Sequence, residues 1–585
     1  MRPSPVRPDS QAIKKILDYG VQIVKLTITV LTLLICCLSA SMADAPVGVP
    51  FDIQGFVDKA VAAGQKKIVI PKGRYRIKPH DRHHLVLRGL SDTQIVADGV
   101  EMICTETTRA LTIADCKNVT VRGLTIDYDP LPFTQGRITA VSNDKKVLDV
   151  EIFAGYPPAE QALPLKAEIF AADTRVLRME DISAQKPEVL DAGHLRIMPG
   201  HPKPTDPEQV GDIIAIGSAY APGGSIPHAL TIEHCTGVRL ENIDLWASNC
   251  FGFLETDSDG TVYYRCRIDR RPASSDIVKR ADPRIRSLNA DANHSVGAAK
   301  GPSYIECTAR WMGDDAVNIH GDYDMVTSCS GNVMRVLSKG RMPAIGDSIE
   351  IWRYDGPRIA DAVVKAIEPD GMINDDEKAF LLKQRMNENI KTKWNAKAFK
   401  VTVDRAVDVP MGTLISSTRQ MGNGFLIRGC SFGSNRSRGI LIKASDGIIE
   451  KNTISGTRGA GILVTPEFWW LESGSANNVI VRDNVVSDCL TYPILVAATA
   501  GAGGVSPAGA HNNITVTGNT IKSSPFPQIT VTSTDHVTIT GNKCAATPTG
   551  TIPEWSIKSQ GLDPAKLNAI ETVNCDHVVV SGNKP

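Results

Sequence analysis

Short runs of alternating apolar and polar residues, each closed by a turn containing Asn or Gly, recur along this chain. They include NVTVRGLTIDYD from Asn118, GVRLENIDLWASN from Gly237 and GFLIRGCSFGSN from Gly424. GIIEKNTISG from Gly447, NVIVRDNVVSD from Asn478, NITVTGNTIKS from Asn513 and HVTITGNKC from His536 follow, and HVVVSGNKP closes the C-terminus. Each unit reads as strand, polar turn, strand and loop, with a period of roughly 20–30 residues, and repeats of that size stack to bury one shared core. No 3.6-residue periodicity separates the units, no fixed leucine pattern is present, and a propeller would need longer blades. The expected fold is therefore all-β: a right-handed parallel β-helix. Asn in its turns can take the left-handed conformation and stack its amide on the next coil.

Two stretches break the rhythm, 134–226 and 325–420, and both alternate at hairpin spacing. They are expected to be two small inserted β-barrel-like domains. The second holds DDEKAFLLKQRMNENI, a helical pattern opened by Asn374-Asp375 as a cap. The helix proper is thus expected over 44–133, 227–324 and 421–585, with FDIQGFVDKAVAAGQ as an amphipathic helix capping the first coil. Residues 1–43 read as a signal peptide: Arg2, Arg7, Lys14 and Lys15 precede an apolar run that ends in Ser41-Met42-Ala43. They imply export to the periplasm or beyond, with an uncleaved membrane anchor as the alternative.

Lys and Arg total 64 and Asp and Glu total 64, so no basic excess points to nucleic acid. No Cys-x-x-Cys pair occurs among the 13 cysteines. They read as small buried hydrophobes, although export permits disulfides. No cofactor and no metal ligand set is expected, no stable membrane partner is indicated, and a homodimer is compatible with a sequence that does not fix an oligomeric state.

Polar residues concentrate at 289–322, NADANHSVGAAKGPSYIECTARWMGDDAVNIHGD. Asp291 and Asp314 lie 23 positions apart, about one coil. Successive coils stack at about 4.8 Å, so Asp291, Asp314 and Asp315 should project together. Two carboxylates on one pocket suit glycoside hydrolysis, one protonated and one ionised, because like charges drive their pKa values apart. Adjacent residues on a strand face opposite ways, so Asp314 and Asp315 can both serve only where the chain bends, and Gly313 permits a bend. The same aspartates could instead form a turn or an oxygen-only calcium site. Asn289, His294, Asn318, His320 and Asp322 beside them favour catalysis. Two further clusters could bind sugar: Arg436, Arg438 and Lys443 in NRSRGILIKASD, and Glu467, Trp469, Trp470 and Glu472 in TPEFWWLESG. Sugar C–H faces stack on aromatic rings, and carboxylates accept sugar hydroxyls.

The segment NADANHSVGAAKGPSYIEC…WMGDDAVNIHGDY resembles family 110 of the glycoside hydrolases, the bacterial α-1,3-galactosidases, and departs from that pattern at Ala298-Ala299. An Asp followed one coil later by Asp-Asp is also similar to the family 28 polygalacturonases. The resemblance implies metal-free, inverting, exo-cleavage of terminal α-1,3-linked galactose from a glycan, with Asp291, Asp314 and Asp315 as the catalytic carboxylates. The polygalacturonase parallel implies Asp314 as acid, with Asp291 and Asp315 holding the water. An inverting acid–base pair is ordinarily about 6.5–9.5 Å apart. Another β-helix polysaccharide hydrolase or lyase, or a non-catalytic glycan-binding surface protein, are the competing expectations.

Overall fold

The computed structural model describes residues 48–144, 146–161, 166–182, 187–198, 209–217, 227–499 and 501–585. The leader expected at 1–43 lies outside these residues. Among the described residues, no helix is long and apolar enough to cross a membrane.

The chain winds into a parallel β-helix. Eleven strands pair in parallel, in sequence order, along one face: β1 (His83–Arg88), β2 (Arg109–Ala114), β3 (Leu230–Glu233), β4 (Phe253–Thr256), β5 (Asn293–Val296), β6 (Val317–Asp322), β7 (Ile440–Ile442), β8 (Ile462–Val464), β9 (Ile494–Val496), β10 (Ile529–Thr532) and β11 (Ile570–Val573). A second long parallel sheet is built the same way, from strands such as Leu426–Arg428, Ile448–Glu450, Asn477–Arg482, His511–Thr517 and Thr534–Thr540. Alternation along each short strand sends every second side chain inward, where like stacks on like. Ile427, Ile449, Val481, Val516 and Ile539 occupy one register column and are fully buried. The expected N-terminal helix is α1 (Ile53–Ala62). Asp52 caps it by accepting from the Gly55 N–H, and Ile53 and Val57 seal the first coil.

Two ladders run through the turns. In the buried one, Asn452, Asn484, Asn519, Asn542 and Asn583 each accept from the backbone and side-chain N–H groups of the residue one coil earlier where that residue is also Asn. Cys116, Cys235, Cys266, Cys307 and Cys430 hold the corresponding turns earlier in the chain, and Cys430 N donates to Asn452 at 2.9 Å. Left-handed backbone and stacked amide do not coincide here: the positive φ belongs to the preceding residue, Lys451, Asp483, Gly518, Gly541 or Gly582. They coincide in exposed turns, at Asn118 on Asp92 and in the ladder Asp446–Asn478–Asn513, where the last three have φ between 53° and 57°. Among the described residues the cysteines are free thiols, mostly buried.

Asn484→Ala would orphan the Asn452 N–H and the Ile449 carbonyl inside the stack. Unmet buried groups cost about 1–3 kcal/mol each. A loss of that size or more is expected in urea unfolding, and an unchanged midpoint would deny the ladder its structural role.

Both interruptions are antiparallel. The first is a seven-stranded sheet from Phe133–Val141 to Ile213–Gly217, with its own core of Ile138, Val150, Ile169, Leu195, Ile214 and Ile216. The second is a closed six-stranded barrel from Asp324–Ser330 to Leu414–Ser417, around Val326, Val336, Ile351, Val364, Val401 and Ile415. The expected helical stretch in it forms two short helices, α2 (Asp375–Leu382) and α3 (Glu388–Lys393). Asn374 and Glu377 form a reciprocal capping box on α2. Both insertions dock through buried ion pairs close to β5 and β6. Arg286, just before β5, reaches Glu168 of the first at 2.7 Å. Asp322, at the end of β6, meets Lys339 at 2.8 Å and Arg341 at 2.6 Å in the second.

Candidate active site

The three aspartates occupy the turns that lead into adjacent strands. Asp291 precedes β5, and Asp314 and Asp315 precede β6. The coils lock at this level: Ala292 N donates to the Asp315 carbonyl at 2.8 Å, and Asp315 N to Asp291 Oδ1 at 3.2 Å. Because Asp314 and Asp315 sit in a bend before the strand begins, alternation does not separate them. One carboxylate oxygen from each of the three lies within 4.8 Å of the others, closer than the ~6.5–9.5 Å of typical inverting pairs. Gly313 serves by close approach. A Cβ there would sit 2.6 Å from the Asn289 carbonyl and 3.1 Å from Glu168 Oε1.

The next coil returns only after the barrel, and it brings cations. Arg436 pairs with Asp314, and its Nε donates to the Gly313 carbonyl at 2.6 Å. Arg438 lies 3.1 Å from Asp315, and its backbone N–H donates to the same carboxylate at 2.7 Å. Asp315 is enclosed, whereas the Asp314 side chain is 22% exposed. Burial pushes the Asp315 carboxyl up to about 7 against the pull of Arg438, with Asp291 and Asp314 adding to the rise. Of the three acids, Asp315 is therefore the one whose enclosure favours the protonated form.

A second hydrogen-bonded chain starts from Asp291. Its Oδ2 lies 2.7 Å from His294 Nδ1, and His294 Nε2 lies 2.9 Å from His320 Nε2. His320 Nδ1 lies 2.7 Å from the Gly321 carbonyl, which can only accept, so that nitrogen carries hydrogen. Burial lowers the His320 pKa to about 3, keeping the ring neutral. Its Nε2 is then a lone pair, His294 Nε2–H donates to it, and one proton remains to be shared between His294 and Asp291. His294 is held flat by Phe251, stacked at 4.5 Å, which in turn stacks on His228 at 4.7 Å.

Beyond the histidines, Lys443 is wholly enclosed. Its Nζ reaches Glu472 at 2.8 Å, Glu467 at 3.1 Å and Asn318 Oδ1 at 3.1 Å. Burial works against its charge, and Glu472 and Glu467 outweigh it, so its pKa rises. Glu467 also meets Arg438 at 3.3 Å, which joins this group to the aspartates.

Asp291, Asp314, Asp315, His294, Asn318, His320, Arg436, Arg438, Lys443 and Glu467 thus form one connected polar site. Asn289 does not line it. It is fully buried beneath, accepting from Arg286 at 3.0 Å and donating to the Pro132 carbonyl at 3.1 Å, so it braces the loop before Asp291. Trp469 and Trp470 are 44% and 43% exposed beside Glu467. Glu472, a candidate from the same cluster as Glu467, joins the site through Lys443, and Phe251 completes it without having stood among its candidates. Nothing in the sequence marks Phe251 as a histidine platform. Two donor sets could hold a cation, Asp291/Asp314/Asp315 and His294/His320/Glu472. Arg436, Arg438 and Lys443 already balance much of their charge.

The right-handed β-helix family model matches residues 411–544. Alpha-1,3-galactosidase B of Bacteroides thetaiotaomicron is 23% identical over 92% of this chain and 88% of its own length. The Parabacteroides distasonis protein of the same name is 23% identical over 72% of each chain. Among solved structures, the mannuronan C-5 epimerase AlgE4 A-module of Azotobacter vinelandii aligns over 92% of this chain and 98% of that one, at 12% identity and a TM-score of 0.38.

Proposed function

We propose that this chain is an exported exo-glycosidase that hydrolyses terminal α-1,3-linked galactose from glycans with inversion at the anomeric carbon. The observation that carries a glycoside hydrolase is the meeting of three carboxylates, one enclosed so that burial raises its pKa and one open to solvent. The named relatives supply the sugar and the linkage.

Asp314 is the general acid, since its exposed carboxyl is the one a glycosidic oxygen can reach and geometry ranks before resting pKa. The proton stored on Asp315 passes to Asp314, their oxygens lying within 4.8 Å, and from there to the leaving oxygen as the C1–O bond breaks. Asp315, then ionised beside Arg438, and Asp291, braced by His294, orient a water on the opposite face. Its oxygen bonds C1 and its proton passes to Asp291. This water lies between those carboxylates and the sugar, so the close spacing of the acids does not displace it.

The test is galactose release from Galα1-3Gal and from its fucosylated branched analogue, with NMR of the first-formed anomer. β-Galactose supports the proposal. α-Galactose rejects inversion, and no galactose from either glycan rejects the function. Because the active form carries the Asp315 proton, kcat/KM is expected to fall as pH rises through about 7. A profile flat to pH 9 would place the acid elsewhere.

A further inference from the structure

Beside the carboxylate site lies a groove of about 480 Å³, within the ~300–1,000 Å³ range of ligand clefts. Its lining includes Glu467, Phe468, Trp469, Arg385, Trp555 and Gln560. They come from three distant parts of the chain: the turn after β8, the segment between α2 and α3 of the barrel insertion, and α4 (Glu554–Ser559) with the residue after it. Trp555 is 73% exposed, the most open of the large hydrophobic side chains among the described residues. Gln560 is 92% buried, and its Oε1 has no hydrogen-bond partner. A buried amide oxygen without a donor costs about 1–3 kcal/mol unless something brings one. Glu467 belongs to both places. It lines the groove, and its carboxylate meets Lys443 at 3.1 Å and Arg438 at 3.3 Å.

We infer that this groove is a leaving-side subsite for the residues of the glycan that lie beyond the first sugar past the scissile bond, which a disaccharide does not reach. The inference rests on the exo-galactosidase reading. An exo-enzyme holds a single residue on the cleaved side, so a groove joined to the acid site through Glu467 takes what lies on the other side of the scissile bond. Aromatic faces at Trp469 and Trp555, a free amide acceptor at Gln560, the Glu467 carboxylate and the Arg385 guanidinium match the C–H faces and hydroxyls of a pyranose. Arg385 also gives the barrel insertion a part in the reaction, as one wall of this subsite.

The experiment compares Galα1-3Gal with a glycan of the same non-reducing end carrying two more residues, on the full chain and its Trp555→Ala variant. Trp555 is exposed enough that the variant should unfold at the parent's temperature. The parent should show a lower KM for the longer glycan. Trp555→Ala should raise that KM about tenfold while leaving kcat and the disaccharide KM unchanged. Equal KM values for both glycans in the parent, or a variant indistinguishable from it on the longer one, overturn the subsite and leave the galactosidase standing. No galactose release from either substrate removes the function and the subsite together.

Discussion

Asp314→Asn is expected to lower kcat/KM for an α-1,3-galactoside by about 10³-fold, the scale of a lost general acid. Asparagine keeps the size of the side chain but cannot supply the proton. The carboxyl and the Arg436 guanidinium it pairs with are 22% and 19% exposed, so water and the Gly313 carbonyl can still solvate the arginine when the charge is removed. The fold should persist, as judged by circular dichroism. The loss should shrink on an activated aryl galactoside, whose leaving oxygen needs little protonation. Asp291→Asn should be as severe on natural glycans but indifferent to the leaving group, since Asp291 serves the water. If Asp314→Asn kept a tenth of the activity, the acid would have to be another residue. If Asp291→Asn were the variant relieved by a good leaving group, the two roles would be exchanged.

Lys443→Met should be the most destabilising single change at the site, about 3–5 kcal/mol. Its ammonium is fully enclosed and compensates Glu467 and Glu472 at 3.1 and 2.8 Å. Methionine fills the volume and leaves two carboxylates facing each other and the buried His320. Adding Glu472→Gln removes one of them and should return a large part of the loss. Urea unfolding of the parent and the two variants reads this directly. If the single variant lost under 1 kcal/mol, the cluster would have to be solvated in the native protein. Asn318, which accepts from the same ammonium at 3.1 Å, should also lose its fixed orientation.

Much of this architecture was written locally. NVIVRDNVVSD and NITVTGNTIKS carry their own alternation and turn, and stacking them leaves one solution, so the parallel coils and the inward columns could be read from the chain. The expectation that one coil separates Asp291 from the Asp314-Asp315 pair works for the same reason, although the register, Asn293 opposite Val317, sets Asp291 level with Asp315 and Asp314 one residue before it. The capping residues Asp52 and Asn374 are equally local, because a helix start needs only its neighbours.

The rest depended on what the fold carries in from far away. Strand alternation cannot say that Asp314 and Asp315 both face the pocket, because they lie in a bend outside the strand. Asn289 has the look of a ligand residue, yet Arg286, fixed by Glu168 of the first insertion, draws its amide underneath. Arg436 and Arg438 return to the aspartates only after the chain has closed a whole barrel, so no local spacing announces the pairing. Trp555 and Gln560 reach the groove from the far end of the sequence. Short-range alternation and turn chemistry determined the coil and the level at which the acids gather. Burial, which raises the Asp315 pKa and lowers that of His320, and the long-range cations, which set the charge around them, were decided by tertiary packing alone. Desolvation and Coulomb energy depend on every neighbour in space, whatever its distance along the chain.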